Sequence, residues 1–172
     1  MFATRWYSSK VAVFIKTYEG FLLTSYDALP PKGDWTIGWG HKLIEYSGNK
    51  NNPNITWTQK KADEMFVADS KKMVNTTFLP FLRNNDIWLT QQQFYAMLSL
   101  TYNFGQNVWG EGNCPTIQNF LIAGYYSKAA LEKAYAIYMG DRQPAGLIAR
   151  RNDEMQMFLF GDYKRDNNYT RP

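Results

Sequence analysis

The chain has 172 residues, 45% hydrophobic, 17% aromatic and 20% charged, which supplies a substantial core and excludes a disordered or low-complexity chain. Nineteen Lys and Arg against 15 Asp and Glu leave a net charge of +4; these residues are dispersed, so the charge suits an anionic polymer surface or plain solubility, and no basic stripe or motif marks a nucleic-acid reader. A single Cys and a single His exclude an internal disulfide and a conventional zinc site, so no metal or other cofactor is expected.

No apolar run approaches the roughly 18 residues that span a membrane, so no integral membrane contact is expected. VAVFI is too short for a signal sequence and no small-residue cleavage site follows it, which predicts a chain made in the cytoplasm without an export address.

After Ser8 and Ser9, Val11, Phe14, Ile15 and Tyr18 recur at helical spacing. A first helix is predicted over Ser9–Glu19, with Gly20 as its stop. Glu19 is then the last helical residue. There it faces the negative end of the helix dipole, with Tyr18 and Phe21 beside it to exclude water, and both effects favour the protonated carboxyl that a general acid requires. The bland alternative is a solvated glutamate at a helix end.

In the stretch Trp35-Thr36-Ile37-Gly38-Trp39-Gly40, large apolar residues alternate with Thr or Gly. A strand here places Trp35, Ile37 and Trp39 on one face and leaves the other nearly bare. Two alternate glycines weaken a core strand but suit one over which a ligand slides. Thr36 is the hydroxyl on that face, and Asp34 projects the same way if the strand reaches it. An acid, a second carboxylate and a hydroxyl converging on one groove is the layout of a glycoside hydrolase.

Glu19-Gly20, then Leu23 and Tyr26, then Thr36, Ile37, Gly38, Gly40 and His41 resemble the phage-type lysozyme family, the muramidases of bacteriophage endolysins and tail-borne wall hydrolases. The resemblance implies cleavage of the β-1,4 bond between N-acetylmuramic acid and N-acetylglucosamine in bacterial peptidoglycan. Glu19 matches the family's general acid and Thr36 its catalytic threonine, and Tyr26 and Gly38 belong to the same motif as candidate substrate-binding positions. One departure stands out: where the family has an aspartate two residues after the tyrosine, this chain has Ala28, and the Tyr26–Thr36 loop is two residues longer than usual. Two acids remain. Asp34 shares the face of Thr36, whereas Asp27 points to the opposite face in a regular strand, so Asp34 is preferred as the second carboxylate with Asp27 as the fallback. Pro30, Pro31 and Gly33 make a stiff turn able to bring that acid in from the far side of the hairpin.

His41 follows the glycine strand; a histidine packed against an acid of the next helix, Asp63 or Asp69, is expected rather than a base. Lys42–Asn54, rich in Gly, Ser, Asn and Pro, reads as loop. Thr58 reads as an N-cap, and Ala62, Met65, Phe66, Asp69 and Met73 continue a helical face to about Asn75. Pro80 is expected to break any long helix, and Asn84, Asn85 and Asp86 mark a turn. Thr90 and Gln93 form a capping box ahead of the stripe Phe94, Met97, Leu98, Thr101 and Tyr102.

In LTQQQFYAMLSLTYNFG, Asn103 and Gly105 resemble the family's second landmark; Gly105 reads as a helix stop, and Asn103 as either a cap or a groove residue. Cys114, between Asn113 and Pro115, reads as structural. Short helices start near Thr116 and Ser127, the second carrying Leu131, Ala134, Tyr135 and Tyr138, and Gly140–Gly146 reads as loop. GLIARRNDEMQMFLFG resembles the C-terminal landmark. Glu154 is three and four residues from Arg151 and Arg150, so the three can pair on a helix, though an arginine such as Arg151 turned into the groove would hold a sugar acetamide or lactyl carboxylate. Residues 162–172 read as a frayed polar tail.

The resemblance spans about residues 9–161 and implies an α+β, lysozyme-like two-lobed fold. A small β-hairpin lobe (about 9–57) is joined by a long helix (about 58–75) to a larger helical lobe (about 76–161), and the groove lies between them. A monomer acting on the wall, released through a holin or carried on the virion, is the corresponding expectation. Two other readings stay open: a lytic transglycosylase, which needs no water-holding carboxylate, and a non-catalytic wall-binding virion protein, against which the retention of both Glu19 and Thr36 speaks.

Overall fold

The computed structural model describes residues 7–111, 113–136 and 145–165. They fall into two compact units: Glu19–Lys72, and Met1–Tyr18 together with Met73–Pro172. The first helix therefore groups with the later helices rather than with the hairpin, and the small unit begins at Glu19 instead of residue 9. The expected α+β class holds, with a helix-rich chain around one small antiparallel sheet. Among the described residues no helix is long and apolar enough to cross a membrane.

In the small unit, β1 (Leu22–Asp27), β2 (Trp35–Gly38) and β3 (His41–Lys42) pair antiparallel in the order β1-β2-β3. Trp35, Ile37 and Leu43 are buried, with Tyr46, Ile55 and Trp57 packed against them, so one face of β2 makes the unit's core. The free edge of β1 is covered by the segment at Ile55–Trp57: Ser25 N–H donates to Ile55 O at 2.9 Å and Trp57 N–H to Leu23 O at 2.8 Å. Covering the edge removes a template for unwanted strand pairing. Helix α2 (Gln59–Met73) then starts on the predicted cap, with Thr58 Oγ1 accepting from Lys61 N–H at 3.1 Å.

The glycine strand is shorter than its alternation suggests. It ends at Gly38, whose φ is +65°, and Trp39-Gly40 turn the chain into β3, with Gly40 at φ +90°. Trp39 consequently leaves the face of Trp35 and Ile37; its ring stacks on Phe21 with centroids 4.1 Å apart, and its indole N–H donates to Asp63 at 2.8 Å. Nor is Gly38 part of a bare floor. A Cβ there would stand 3.2 Å from the Ala62 Cβ and 3.4 Å from the Trp57 ring, so α2 and Trp57 press directly on its backbone. Lys42, expected in the loop, is instead a residue of β3.

In the helical unit, α1 (Ser9–Lys16) is capped by Ser8, which accepts from Val11 N–H, and buries Val11, Ala12, Phe14 and Ile15. A π turn at Val74–Phe78 precedes α3 (Leu79–Asn84). Pro80 does not break the helix, because it falls in the first turn of α3, where a missing N–H is tolerated. Helix α4 (Gln91–Phe104) opens on the predicted Thr90–Gln93 capping box and ends at Gly105, with φ +83°. Its buried residues pack along α7 (Ala145–Phe160).

Phe78 stacks on both Phe94 and Trp109, at 5.0 and 4.6 Å between ring centroids. Helices α5 (Pro115–Ala123) and α6 (Lys128–Ala136) start within a residue of the predicted positions. Tyr138 and residues 140–144 lie outside the described residues, and Gly146 belongs to α7 rather than to a loop. The tail is held at its start: the Tyr163 ring meets Tyr95 edge-on at 6.2 Å, and the Arg165 guanidinium lies 4.7 Å over the Tyr18 ring and donates to Thr17 O. Residues 166–172 lie outside the described residues.

Candidate active site

Glu19 does not close a helix. Helix α1 stops at Lys16, where Thr17 N–H shares the Val13 and Phe14 carbonyls at 3.1 and 3.2 Å and Thr17 Oγ1 donates to Phe14 O at 2.7 Å. These bonds satisfy the last turn three residues before the glycine that the sequence offered as a stop. Glu19 therefore sits in the bend leading into β1, half-buried, and not at the end of α1 where the helix dipole would act. The bend carries the carboxylate to the β2–β3 turn. Its Oε2 lies 3.7 Å from where a Cβ on Gly40 would stand, so Gly40 is the glycine that borders the acid, while Gly38 packs inward.

The sheet supplies the facing groups. Tyr26 pairs with Thr36 across β1 and β2, and Thr36 pairs with Lys42 across β2 and β3. Directly opposed residues point to the same face, so Tyr26, Thr36 and Lys42 form a row, and Asp34 comes onto that face two residues before Thr36. Lys42 Nζ reaches both Asp34 carboxylate oxygens, at 3.1 and 3.0 Å. Thr36, only 4% exposed, donates its hydroxyl proton to the Asp34 main-chain oxygen at 3.1 Å, which leaves the hydroxyl oxygen as an acceptor. Burial pushes the Tyr26 phenol above its ordinary pKa, and the Glu19 and Asp34 carboxylates push it further the same way.

The two acids differ in what holds them. Asp27 is bound into the hairpin loop: Oδ1 accepts from Leu29 N–H at 3.0 Å and Asp34 N–H at 2.9 Å, and Oδ2 accepts from Gly33 N–H at 2.8 Å. Desolvation raises its pKa, but these three N–H groups outweigh it and hold the carboxyl below its ordinary value. Asp27 is thereby the side chain that shapes the turn. Gly33 completes it at φ +71°, where any Cβ would fall 2.3 Å from Asn49 O. Ala28 N–H donates to Asp34 O at 3.0 Å, continuing the ladder in which Asp27 opposes Trp35, so Ala28 lies directly across from Asp34. The carboxylate missing at position 28 is present on the neighbouring strand, one ladder step away.

His41 takes the expected structural place, with Nδ1 2.8 Å from Asp69 Oδ2 and the ring 5.2 Å from that of Trp57. Asn103 and Arg151 lie in the other unit. Asn103 is half-buried in the last turn of α4, whose stop is made by Gly105 N–H on Thr101 O at 2.8 Å. Arg151 is 1% exposed, donates to Glu154 Oε1 at 2.8 Å and lies 5.1 Å over the Phe104 ring. The reading of Arg151 as a groove residue is therefore corrected, because a guanidinium this deeply enclosed is held by its ion pair. Arg150 joins the same carboxylate at 3.2 Å, and Ser99 Oγ donates to it at 2.6 Å. Lys42 is the residue at the site that the sequence did not single out. A lysine ahead of a Gly/Asn-rich stretch reads as solvated surface, and only the register of a two-residue strand brings it beside Thr36.

The phage lysozyme family model matches residues 16–154. The chain belongs to the phage lysozyme family. It is similar to the endolysin of Bacillus phage B103, at 31% identity over 91% of this chain and 55% of the relative. It is also similar to that of Acyrthosiphon pisum secondary endosymbiont phage 1, at 32% over 88% and 96%. The chain spans about half the length of the Bacillus and Lactococcus phage endolysins it matches. Among solved structures it resembles the muramidase domain of SpmX from Asticaccaulis excentricus, with a TM-score of 0.66 and 26% identity, covering 88% of this chain and 96% of that one. The family membership places Glu19, Tyr26, Thr36 and Gly40 within the matched stretch, and Ala28 remains its departure from the family's pattern.

Proposed function

We propose that this member of the phage lysozyme family is a peptidoglycan muramidase, hydrolysing the β-1,4 bond between N-acetylmuramic acid and N-acetylglucosamine. The observation that carries the reading is the placement of two carboxylates on one small sheet, Glu19 bordering Gly40 at the β2–β3 turn and Asp34 bonded to Lys42, which pairs with Thr36. Glu19 donates a proton to the glycosidic oxygen as the bond to the anomeric carbon breaks. Asp34 accepts a proton from the attacking water or, before attack, faces the positive charge on the sugar. The Thr36 oxygen, its own proton committed to the Asp34 carbonyl, accepts the other hydrogen of that water. The endolysins and the muramidase domain similar to this chain support the same reaction class.

Replacing Glu19 by Gln keeps the volume and removes the transferable proton. Clearing of a wall suspension should fall by roughly 100- to 10,000-fold, the usual worth of a positioned acid, with an unchanged melting temperature. A Glu19→Gln protein that still clears walls at the parent rate ends the assignment.

Ala28 at the family's acid position favours one second reading, a lytic transglycosylase in which the sugar's own hydroxyl attacks and no water is held. Mass spectrometry of the released muropeptides separates the two. Hydrolysis gives reducing ends, and the alternative gives anhydro ends lighter by one water.

A further inference from the structure

Residue 28, where the family has its second acid, is alanine, and the carboxylate that replaces it stands on the other strand of the hairpin, directly opposite. An acid moved across a hairpin leaves from a different Cα and approaches the same space along a different line, so it needs its own means of orientation. Asp34 lies just before β2 opposite Ala28, whose methyl cannot hold a carboxylate, and the turn beside it is held by Asp27 rather than by Asp34 itself. What holds the Asp34 carboxylate is Lys42. Its position opposite Thr36 makes it the diagonal cross-strand neighbour of Asp34, a separation that a long side chain spans, and its ammonium bonds both oxygens at once, at 3.1 and 3.0 Å.

The pair is poorly placed to serve stability. Lys42 is 63% exposed and Asp34 21% exposed at their side chains, and an ion pair so open to water contributes little to folding because solvent screens it. It is well placed to serve geometry. One ammonium on two oxygens fixes the carboxylate's rotation, and each oxygen keeps a further lone pair for water or for a developing cation.

We propose that Lys42 is a positioning residue for the second carboxylate, pinning Asp34 so that an acid carried on β2's side of the hairpin does the work of the one absent at residue 28. The inference rests on the muramidase reading of Asp34 and adds a part to it. Lys42 acts through Asp34, so its loss changes turnover rather than substrate affinity.

The experiment compares Lys42→Met, Lys42→Arg and Asp34→Asn, each purified as the whole chain, for kcat and KM on soluble uncrosslinked peptidoglycan strands and for melting temperature. Lys42→Met should lose roughly tenfold in kcat, the scale of a modest misplacement of a catalytic group, with KM and melting temperature unchanged. Lys42→Arg, whose fork also reaches two carboxylate oxygens, should recover most of that loss. A Lys42→Met protein with parental kcat, or one whose defect lies in KM, overturns the inference; the second result would make Lys42 a direct substrate contact. The same holds if the arginine fails to rescue. If Asp34→Asn itself keeps full turnover, the second-carboxylate reading fails first and Lys42 loses its role with it, so the two failures are told apart by which variant is silent.

Discussion

The hairpin unit and the helical unit each hold a carboxylate bound by basic side chains, and they treat it in opposite ways. In the helical unit Glu154 is fully buried, its Oε1 taking Ser99, Arg150 and Arg151 together, and both arginines are at most 2% exposed. In the hairpin unit Asp34 is held by one lysine that is mostly in water. The comparison teaches that burial decides what an ion pair is for. A desolvated network is costly to break, even where, as here, Glu154 Oε2 and Arg151 Nε have no partner, so it serves packing and cannot meet a substrate. A solvated pair adds little to stability, and that leaves its carboxylate available for chemistry.

The sharpest way to break this contrast is at Glu154. Glu154→Ala removes the carboxylate that both buried arginines bond and should cost about 3–5 kcal/mol, read as a large drop in the denaturation midpoint with activity falling only as folded protein is lost. Asp34→Asn should do the reverse: turnover on peptidoglycan down by roughly 100-fold, about 2.7 kcal/mol of barrier, while the melting curve stays in place. Asp27→Asn, measured beside it, weakens the turn-shaping acceptor and should register in stability more than in turnover.

If residue 28 does face the place that Asp34 serves, adding Ala28→Asp to Asp34→Asn should recover about tenfold of the lost rate. No recovery would mean the two positions are not interchangeable across the ladder. The smallest effect sharpens the background. Thr90→Ala opens the exposed capping box of α4 and should lower stability by about 1 kcal/mol without touching kcat, which calibrates how a purely structural change reads in the same assays.

Local signals carried much of this. The caps at Ser8, Thr58 and Thr90 were legible because each needs only a side chain and an N–H two or three residues on. The same holds for the helix stop at Gly105, whereas for His41 the sequence left Asp63 and Asp69 open and the fold selects Asp69. The preference for Asp34 over Asp27 also rests on alternation along one strand; the register places Ala28 opposite Asp34. The reading went astray wherever a residue's role depended on what lay across from it. The end of α1 was misplaced because Thr17 closes the last turn before Gly20 can. Gly38 resembled a ligand-facing floor because nothing in its neighbours along the chain announces that Ala62 and Trp57 press on it.

The sequence by itself determined the family and the class of fold and offered the acid and hydroxyl that the proposed hydrolysis uses, since those are written in residue types at fixed short spacings. Tertiary structure alone decided that Gly40 rather than Gly38 borders Glu19, that Arg151 is enclosed with Glu154, and that Lys42 holds Asp34. These are contacts between separate strands and helices. Their existence depends on register and packing, which a linear order of residues leaves open until the chain has folded.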